Sequence, residues 1–450
     1  MGQAELIAVQ GTPGTTGYLA STLPVAALAA ESVGALGTAV AQLQSALGSV
    51  TTESEAVTPT ASLARIAASF MGDTVLRIDG EPVQGFADLS GFFPVSDGWV
   101  RTHANYPHHR KALLGVVGLG GAGSAESIDM FGDRLRGMSG FELEELCAAS
   151  GALAVRVRTE EQWSAHPAGI AASSGPVVTR GAADPAARVR IPSFRPLPSL
   201  RPRGAEYPLA GIRVLDLTRV IAGPVATRAL ALLGADVLRV DSPRHPELPW
   251  QHLENGQGKR SALLDLDTAE GLDRVLGLLD SADVLVTGYR PGALDRFGLE
   301  DRADLVHGRI SAWGTEGPWS RRRGFDSLVQ AACGISVLEG RDGRPGRLPA
   351  QALDHASGYL LAAGIVSELA ARVEGSGTAA PVDVALAATA AWLTGLPGRD
   401  PEHGPAALPP PECVVTHGSV TAARPVFDCY SDYAYPAHVW GSDEAGWLPR

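Results

Sequence analysis

The chain has 450 residues, 45% of them apolar and 19% charged, and a formal net charge of −12. It is too long for one ordinary core and too apolar for a disordered chain, which points to two globular domains or one elaborated domain. The acidic balance excludes a nucleic-acid or anionic-membrane surface as the main partner, because phosphate binding needs a basic footprint, although a local arginine cluster can still hold an anionic ligand.

In chain order, the opening MGQAELIAVQGTPG lacks a basic region followed by an apolar core, so no secretory leader is read there. The Ala-rich run 18–48 has apolar residues at helical spacing, and its Ser, Glu and Gln interruptions argue for a soluble helix rather than a membrane span. A second helix around ASLARIAASF closes a helical segment, 1–72, that belongs with the large domain or packs beside it. Residues 73–170 mix strands (TVLRID, GWVRTHANY) with helices (HHRKALLGVVGL, SGFELEELCAASG, TEEQWSAHP), the pattern of a small α+β domain. The proline density of 171–208 forbids a helix and predicts an extended linker. Residues 209–395 alternate strand and helix: IRVLDL, PVATRALALLG, DVLRVD, TAEGLDRVLGLLDSA, DVLVTGY. That alternation predicts a parallel sheet covered on both faces, the α/β class of a Rossmann-like domain. Two helical stretches follow, GFDSLVQAACGISVL and LPAQALDHASGYLLAAGIVSELAARVEG. The last block, 396–450, rich in Pro, Gly and aromatics, reads as an irregular surface tail.

Four cysteines, Cys147, Cys333, Cys413 and Cys429, lie scattered without CxxC spacing, so neither a disulfide framework nor a zinc site is encoded, and a reducing cytoplasm fits. In TRVIAGPVATR, Gly223 and Pro224 stand where a strand gives way to a helix, so backbone N–H groups there can face a ligand phosphate. No GxGxxG fingerprint accompanies them, which argues against a nicotinamide cofactor. The GLGGAG run at 118–123 follows a helix rather than a strand and reads as a flexible loop. His103, His108 and His109 cluster in sequence but lack the further ligands of a metal site. His108 or His109 can instead reach a ligand from residues 73–170, while Trp163 and Trp440 read as packing residues.

Four segments together, LAGIRVLDLTRVIAGPVATRALALLGADVLRVD, GKRSALLDLDT, ADVLVTGYRPGALDRFGL and QALDHASGYLLAAGIVSELAAR, resemble the family III coenzyme A transferases. That group contains formyl-CoA transferase, carnitine CoA-transferase and α-methylacyl-CoA racemase. The resemblance covers about 190 residues in unbroken order. It implies a Rossmann-like large domain, a smaller α+β domain and an interlocked homodimer. It also implies movement of coenzyme A from an acyl-CoA thioester to a carboxylic acid acceptor, with coenzyme A as substrate, no resident cofactor and no metal. The family's catalytic aspartate corresponds to Asp354 in ALDHASGYL, whose alternative role is that of a first-turn acid stabilising its helix. The coenzyme contacts carry over to Arg219, Val220, Ile221 and Ala222 in the first βα loop, to Arg296 in GALDR, and to Arg323 and Phe325. Arginines suit a triphosphorylated ligand because they clamp phosphate bidentately. Ser242 departs from the arginine that relatives often carry there, leaving Arg244 as the substitute. Phe325 replaces the histidine of the racemase branch and transfers no proton; His355, next to Asp354 on a helix, points elsewhere. Transferase is therefore preferred, with racemase or isomerase, or a non-catalytic homologue, as alternatives. The segments FPVSDGWVRTHANYPHHRKALL and FELEELCAASGALAVRVRTEEQWSAHP resemble the small domain that other members carry after the catalytic helix, which implies a circular permutation.

Overall fold

The computed structural model describes residues 17–48, 59–120, 127–180, 207–299, 302, 304–377 and 380–449. Helices α1 (Val25–Gly48), α2 (Leu63–Phe70) and α3 (Gly72–Val75) lead into strands β1 (Arg77–Ile78) and β2 (Glu81–Pro82). Strands β3 (Phe92–Val95) and β4 (Gly98–Thr102) precede α4 (Pro107–Val116), α5 (Ser127–Arg136) and α6 (Gly140–Ser150), and β5 (Ala154–Arg156) then completes an antiparallel sheet β3-β4-β5. This unit has its own apolar core, built on Leu89, Val100, Leu113, Phe131, Leu143 and Cys147. Helices α7 (Glu160–Ser164) and α8 (Pro167–Ser173) and strand β6 (Val178–Arg180) follow.

The large sheet then builds up through β7 (Arg213–Leu217), α9 (Ala222–Leu232), β8 (Asp236–Asp241), α10 (Pro249–Asn255), β9 (Arg260–Leu263), α11 (Ala269–Leu279), β10 (Val284–Thr287) and β11 (Val306–Ser311). After α12 (Asp326–Ala332), α13 (Ile335–Leu338) and α14 (Ala352–Val373), β12 (Val382–Ala385) joins the sheet and α15 (Leu386–Gly395) leaves it. The order is β6-β12-β11-β10-β7-β8-β9, parallel throughout except for β6, which pairs antiparallel on the β12 edge. Counted from β7, the six parallel strands run 3-2-1-4-5-6, the order of doubly wound nucleotide-binding sheets.

Both faces of the sheet are covered, as continuous apolar strands require. Because side chains alternate along a strand, Val214 joins a core made with α1, α9 and α14, while the next residue, Leu215, joins a separate core made with α11. Helices α1 and α14 are each long and apolar enough, by length and composition, to cross a membrane, a test that a buried core helix also passes. Here α1 lies along α14, and its Leu28, Leu36 and Leu43 are fully buried against the large core.

Two local expectations are corrected. TVLRID is not one strand: Thr74 and Val75 finish α3, and only Arg77 and Ile78 extend before a turn at Asp79 and Gly80. Both turn residues have positive φ (53° and 83°), the geometry of a two-residue hairpin. The C-terminal block is also not wholly irregular. Strands β13 (Val414–His417) and β14 (Val420–Ala423) form a hairpin that pairs with β1, giving a four-stranded sheet β13-β14-β1-β2. The β-branched run VVTHGSVT carried that signal, and the surrounding prolines and glycines masked it.

Candidate active site

The strand order reverses between β7 and β10, whose outgoing connections run to opposite sides, and a crevice opens at their C-terminal ends. There a cavity of about 710 Å³ is walled by the loop after β7, the Gly288–Pro291 loop after β10, Ser311 at the end of β11, and Phe325 and Asp354 at the starts of α12 and α14. Tyr106, His108 and His109 close it from the small α+β unit. Arg219, Val220, Ile221, Ala222, Arg296, Arg323, Phe325 and Asp354, scattered along the sequence, all line this one cavity. Among the described lining residues Asp354 is the only carboxylate, facing five arginines: Arg219, Arg290, Arg296, Arg322 and Arg323.

The floor of the first loop is a buried polar network. Asp216, at the end of β7, accepts from Thr218 N at 2.9 Å and Thr218 Oγ1 at 2.5 Å, and its other oxygen accepts from Thr227 Oγ1 at 2.5 Å and Lys259 Nζ at 3.1 Å. Above it Val220 has φ of 69°, a left-handed conformation that a β-branched residue adopts only under constraint. Two buried side chains impose it: Glu247 Oε2 accepts the Val220 N–H at 3.0 Å, and Asn255 Nδ2 donates to the Val220 carbonyl at 3.2 Å. Glu247 also accepts from Tyr106 Oη at 2.5 Å and pairs with Arg239 at 2.9 Å. One carboxylate thus ties the small unit to the strained loop.

Gly358, in the second turn of α14, lets α9 come close. A Cβ at Gly358 would stand 2.5 Å from the Ala222 carbonyl oxygen and 2.8 Å from Val225 Cβ. Gly358→Ala is expected to push the first turn of α9 away from α14 and cost about 1–3 kcal/mol, read as a lower urea midpoint without a change in m-value.

Asp354 is 6% exposed and sits in the first turn of α14. The N-cap is Gln351, which makes no side-chain cap bond, so Asp354 is a first-turn acid and not the cap. A helix N-terminus favours an ionised acid by about 1 kcal/mol or less. Burial, and after it the facing carboxylate of Asp326, outweigh that and hold Asp354 well above the usual carboxylate range. Phe325, the N-cap residue of α12, stacks on His103 with ring centroids 3.9 Å apart, and His109 meets its edge at 5.8 Å. Burial first, and His108 next, hold His109 down to about 3, so it is a neutral imidazole near pH 7. No group of three or more His, Cys, Asp or Glu side chains with metal-holding geometry occurs among the described residues. His355 lies apart from the cavity walls, stacked on Phe70 at 5.3 Å.

Not every proposed cation is free to meet a ligand. Arg296 pairs with Asp267 at 2.6 Å, and Arg219 donates to the Pro246 carbonyl at 3.0 Å while lying over the Tyr106 ring. Arg244 pairs with Asp265 and Asp267 at 2.7 and 2.9 Å and does not line the cavity. Tyr106, His245, Tyr289 and Arg290 also line the cavity; Tyr106, Tyr289 and Arg290 lie in segments that carried the resemblance, but none of the four was named as a site residue from the sequence. Tyr106 and His245 stand 139 residues apart, and only the fold joins them.

Residues 209–430 match the sequence model of CoA-transferase family III. That segment belongs to CoA-transferase family III. The chain is 35% identical over 199 residues to a probable fatty acyl-CoA transferase of Mycobacterium tuberculosis, covering 40% of this chain and 50% of that protein. It is 35% identical over 215 residues to an acetyl-coenzyme A transferase of Hypoxylon pulicicidum, covering 45% of this chain and 36% of that one. A crystal structure of a hypothetical protein from M. tuberculosis is 35% identical with a TM-score of 0.40, over 42% of this chain and 56% of that one. The chain thus spans about half or less of the curated relatives it matches. The family III segment begins at the strand that opens the parallel sheet and includes every residue of the cavity wall after Arg219; the wall from the small unit lies outside it.

Proposed function

We propose that the protein is a CoA-transferase that moves coenzyme A from an acyl-CoA thioester to a carboxylic acid, with Asp354 as the covalent nucleophile. The observation that carries this reading is a single carboxylate at a helix start, set among arginines at the switch point of a doubly wound sheet in a family III segment. The arginines suit the phosphates of coenzyme A, with Arg290 and Arg323 the two that pair with no carboxylate among the described residues.

The steps balance without metal or redox partner. The Asp354 carboxylate attacks the thioester carbonyl, the C–S bond breaks, and CoA thiolate leaves an acyl-aspartyl anhydride. The thiolate attacks the aspartyl carbonyl, releasing the donor acid and leaving an aspartyl-CoA thioester. The acceptor carboxylate attacks that carbonyl, expels the thiolate and forms a second anhydride. The thiolate then takes the new acyl group and restores Asp354. The small unit before residue 209 belongs to the same site in this reading, as a circular permutation of the family's domain order, and the expected assembly is an interlocked homodimer. Tyr106, His108 and His109 on the cavity wall support the first of these.

Incubation with an acyl-CoA followed by hydroxylamine is expected to convert Asp354 to its hydroxamate, read by peptide mass. Absence of the adduct across a panel of acyl-CoA thioesters would sink the transferase reading. One observation favours a second reading, α-proton transfer on an acyl-CoA: His109 brings a neutral imidazole into the cavity beside Phe325, which itself transfers no proton. Exchange of the substrate α-proton in deuterated water without a trappable adduct is the outcome that selects it.

A further inference from the structure

Asp326, the first residue of α12, is completely buried and does not line the cavity, yet its hydrogen bonds converge on the start of α14. Its Oδ2 accepts the Asp354 N–H at 3.0 Å. Its Oδ1 accepts from Gln330 Nε2, and Gln330 Oε1 in turn accepts the Leu348 N–H at 3.0 Å. One side chain therefore links the first turn of α12, the first turn of α14 and the segment that leads into it. Anchoring a helix start does not need a charge, since a neutral Ser, Thr or Asn oxygen accepts the same N–H. A fully buried carboxylate costs several kcal/mol to desolvate, so its presence beside the only acid of the cavity wall calls for a reason other than folding.

We propose that Asp326 is a positioning residue for Asp354: it anchors the first turn of α14 through the Asp354 N–H and sets a second carboxylate against the first, so that the Asp354 carboxyl is held toward the cavity. The inference deepens the transferase reading and borrows the role of Asp354 from it. Burial raises Asp326 to about 6 against the opposing effect of the Asp354 N–H and Gln330, and burial, followed by the charge of Asp326, raises Asp354 well above the usual carboxylate range. Two opposed carboxylates of this kind titrate as a pair, because ionisation of one disfavours ionisation of the other. A carboxylate made more basic than an ordinary one is the stronger nucleophile once ionised. Among the described residues, few other charged or titratable groups face the pair. Arg101 of β4 favours ionised Asp326, with Arg347 beyond it; His103 and His109, from β4's end and α4, are kept neutral by burial, as is His355, which is turned toward Phe70. Arg101 makes the small unit a contributor to this balance, since its guanidinium is buried, acts on Asp326, and has no hydrogen-bond partner for its Nε among the described residues.

The two titrations can be read without turnover, by ¹³C NMR of protein labelled at aspartate Cγ. In Asp326→Asn, the Asp354 resonance is expected to titrate about one pH unit or more lower than in the wild type. The acid limb of adduct formation should shift the same way, with kcat lower by about 10²-fold through misplacement and KM for acyl-CoA little changed. Asp326→Glu, which keeps the charge but moves it, should keep the high midpoint and lose rate. If Asp326→Asn does not fold, reciprocity of the coupling supplies the same test in Asp354→Asn, where the Asp326 midpoint must fall. An unmoved midpoint in either variant overturns the proposal, as does a uniform loss of rate at every pH. Failure of the wild type to form an adduct overturns the transferase reading alone, because the midpoints still decide the role of Asp326.

Discussion

Asp354→Asn is expected to remove the hydroxylamine-trappable adduct, lower CoA transfer by about 10⁴-fold or more, and leave the protein at least as stable as the wild type. The loss follows because asparagine has no carboxylate to form an anhydride, and no other acid lines the cavity among the described residues. The stability follows from linkage. A carboxyl whose folded value lies above its unfolded value of about 3.8 holds its proton more tightly when folded, so it makes the fold less stable as pH rises through that window. A neutral asparagine removes the penalty. The melting temperatures of the two proteins should therefore converge at pH 4 and separate at pH 7, the variant higher. A variant that melts lower at pH 7 would show that Asp354 earns its place by stabilising the helix start, the alternative left open by its position in the first turn.

Glu247→Ala is expected to be the most destabilising single change near the site, by about 3 kcal/mol or more. It leaves Arg239 buried with Asp241, at 2.7 Å, as its remaining paired carboxylate among the described residues, takes from Tyr106 the closer of its two acceptors, and frees Val220 from one of the two bonds that hold its strained conformation. Burial alone would raise Glu247, but Arg239 and Arg219 outweigh it and hold it at about 2, against an ordinary value of 4.5. The folded value is depressed, so the contribution of Glu247 is complete above pH 4.5 and fades as pH falls toward 2. Urea unfolding at pH 7 and at pH 3 checks this: the gap between wild type and variant should be smaller at pH 3. A gap that stays constant would assign the loss to packing. Because the same change unties Val220, ligand affinity of the loop should fall even where the variant is still folded.

The cavity residues read from sequence were those whose neighbours carry a local pattern. Val220 to Ala222 sit where a strand signal meets a helix signal, Asp354 where a long apolar helix begins, and both positions could be named without knowing what packs on them. Arg244 shows the limit of that reading. It was named as a stand-in by its position after β8, but Asp265 and Asp267 hold it outside the cavity, and only their location across the sheet edge decides this. The β13–β14 hairpin was similarly hidden, because its edge partner β1 lies more than three hundred residues earlier.

What the sequence by itself determined is local: the strand and helix periods of the parallel sheet, the turn that opens toward the ligand, and the segment match that puts residues 209–430 in family III. What only the tertiary structure decided is which groups face one another. The His103 ring on Phe325, the Tyr106 hydroxyl on Glu247 and the Asp326 carboxylate on the Asp354 N–H join residues separated by 28 to more than 200 positions. Periodicity records which side of an element is apolar, but not which charge lies across a buried gap; at that range the ionisation of Asp354 is set by desolvation and by its neighbour's charge, and both exist only once the chain has closed around them.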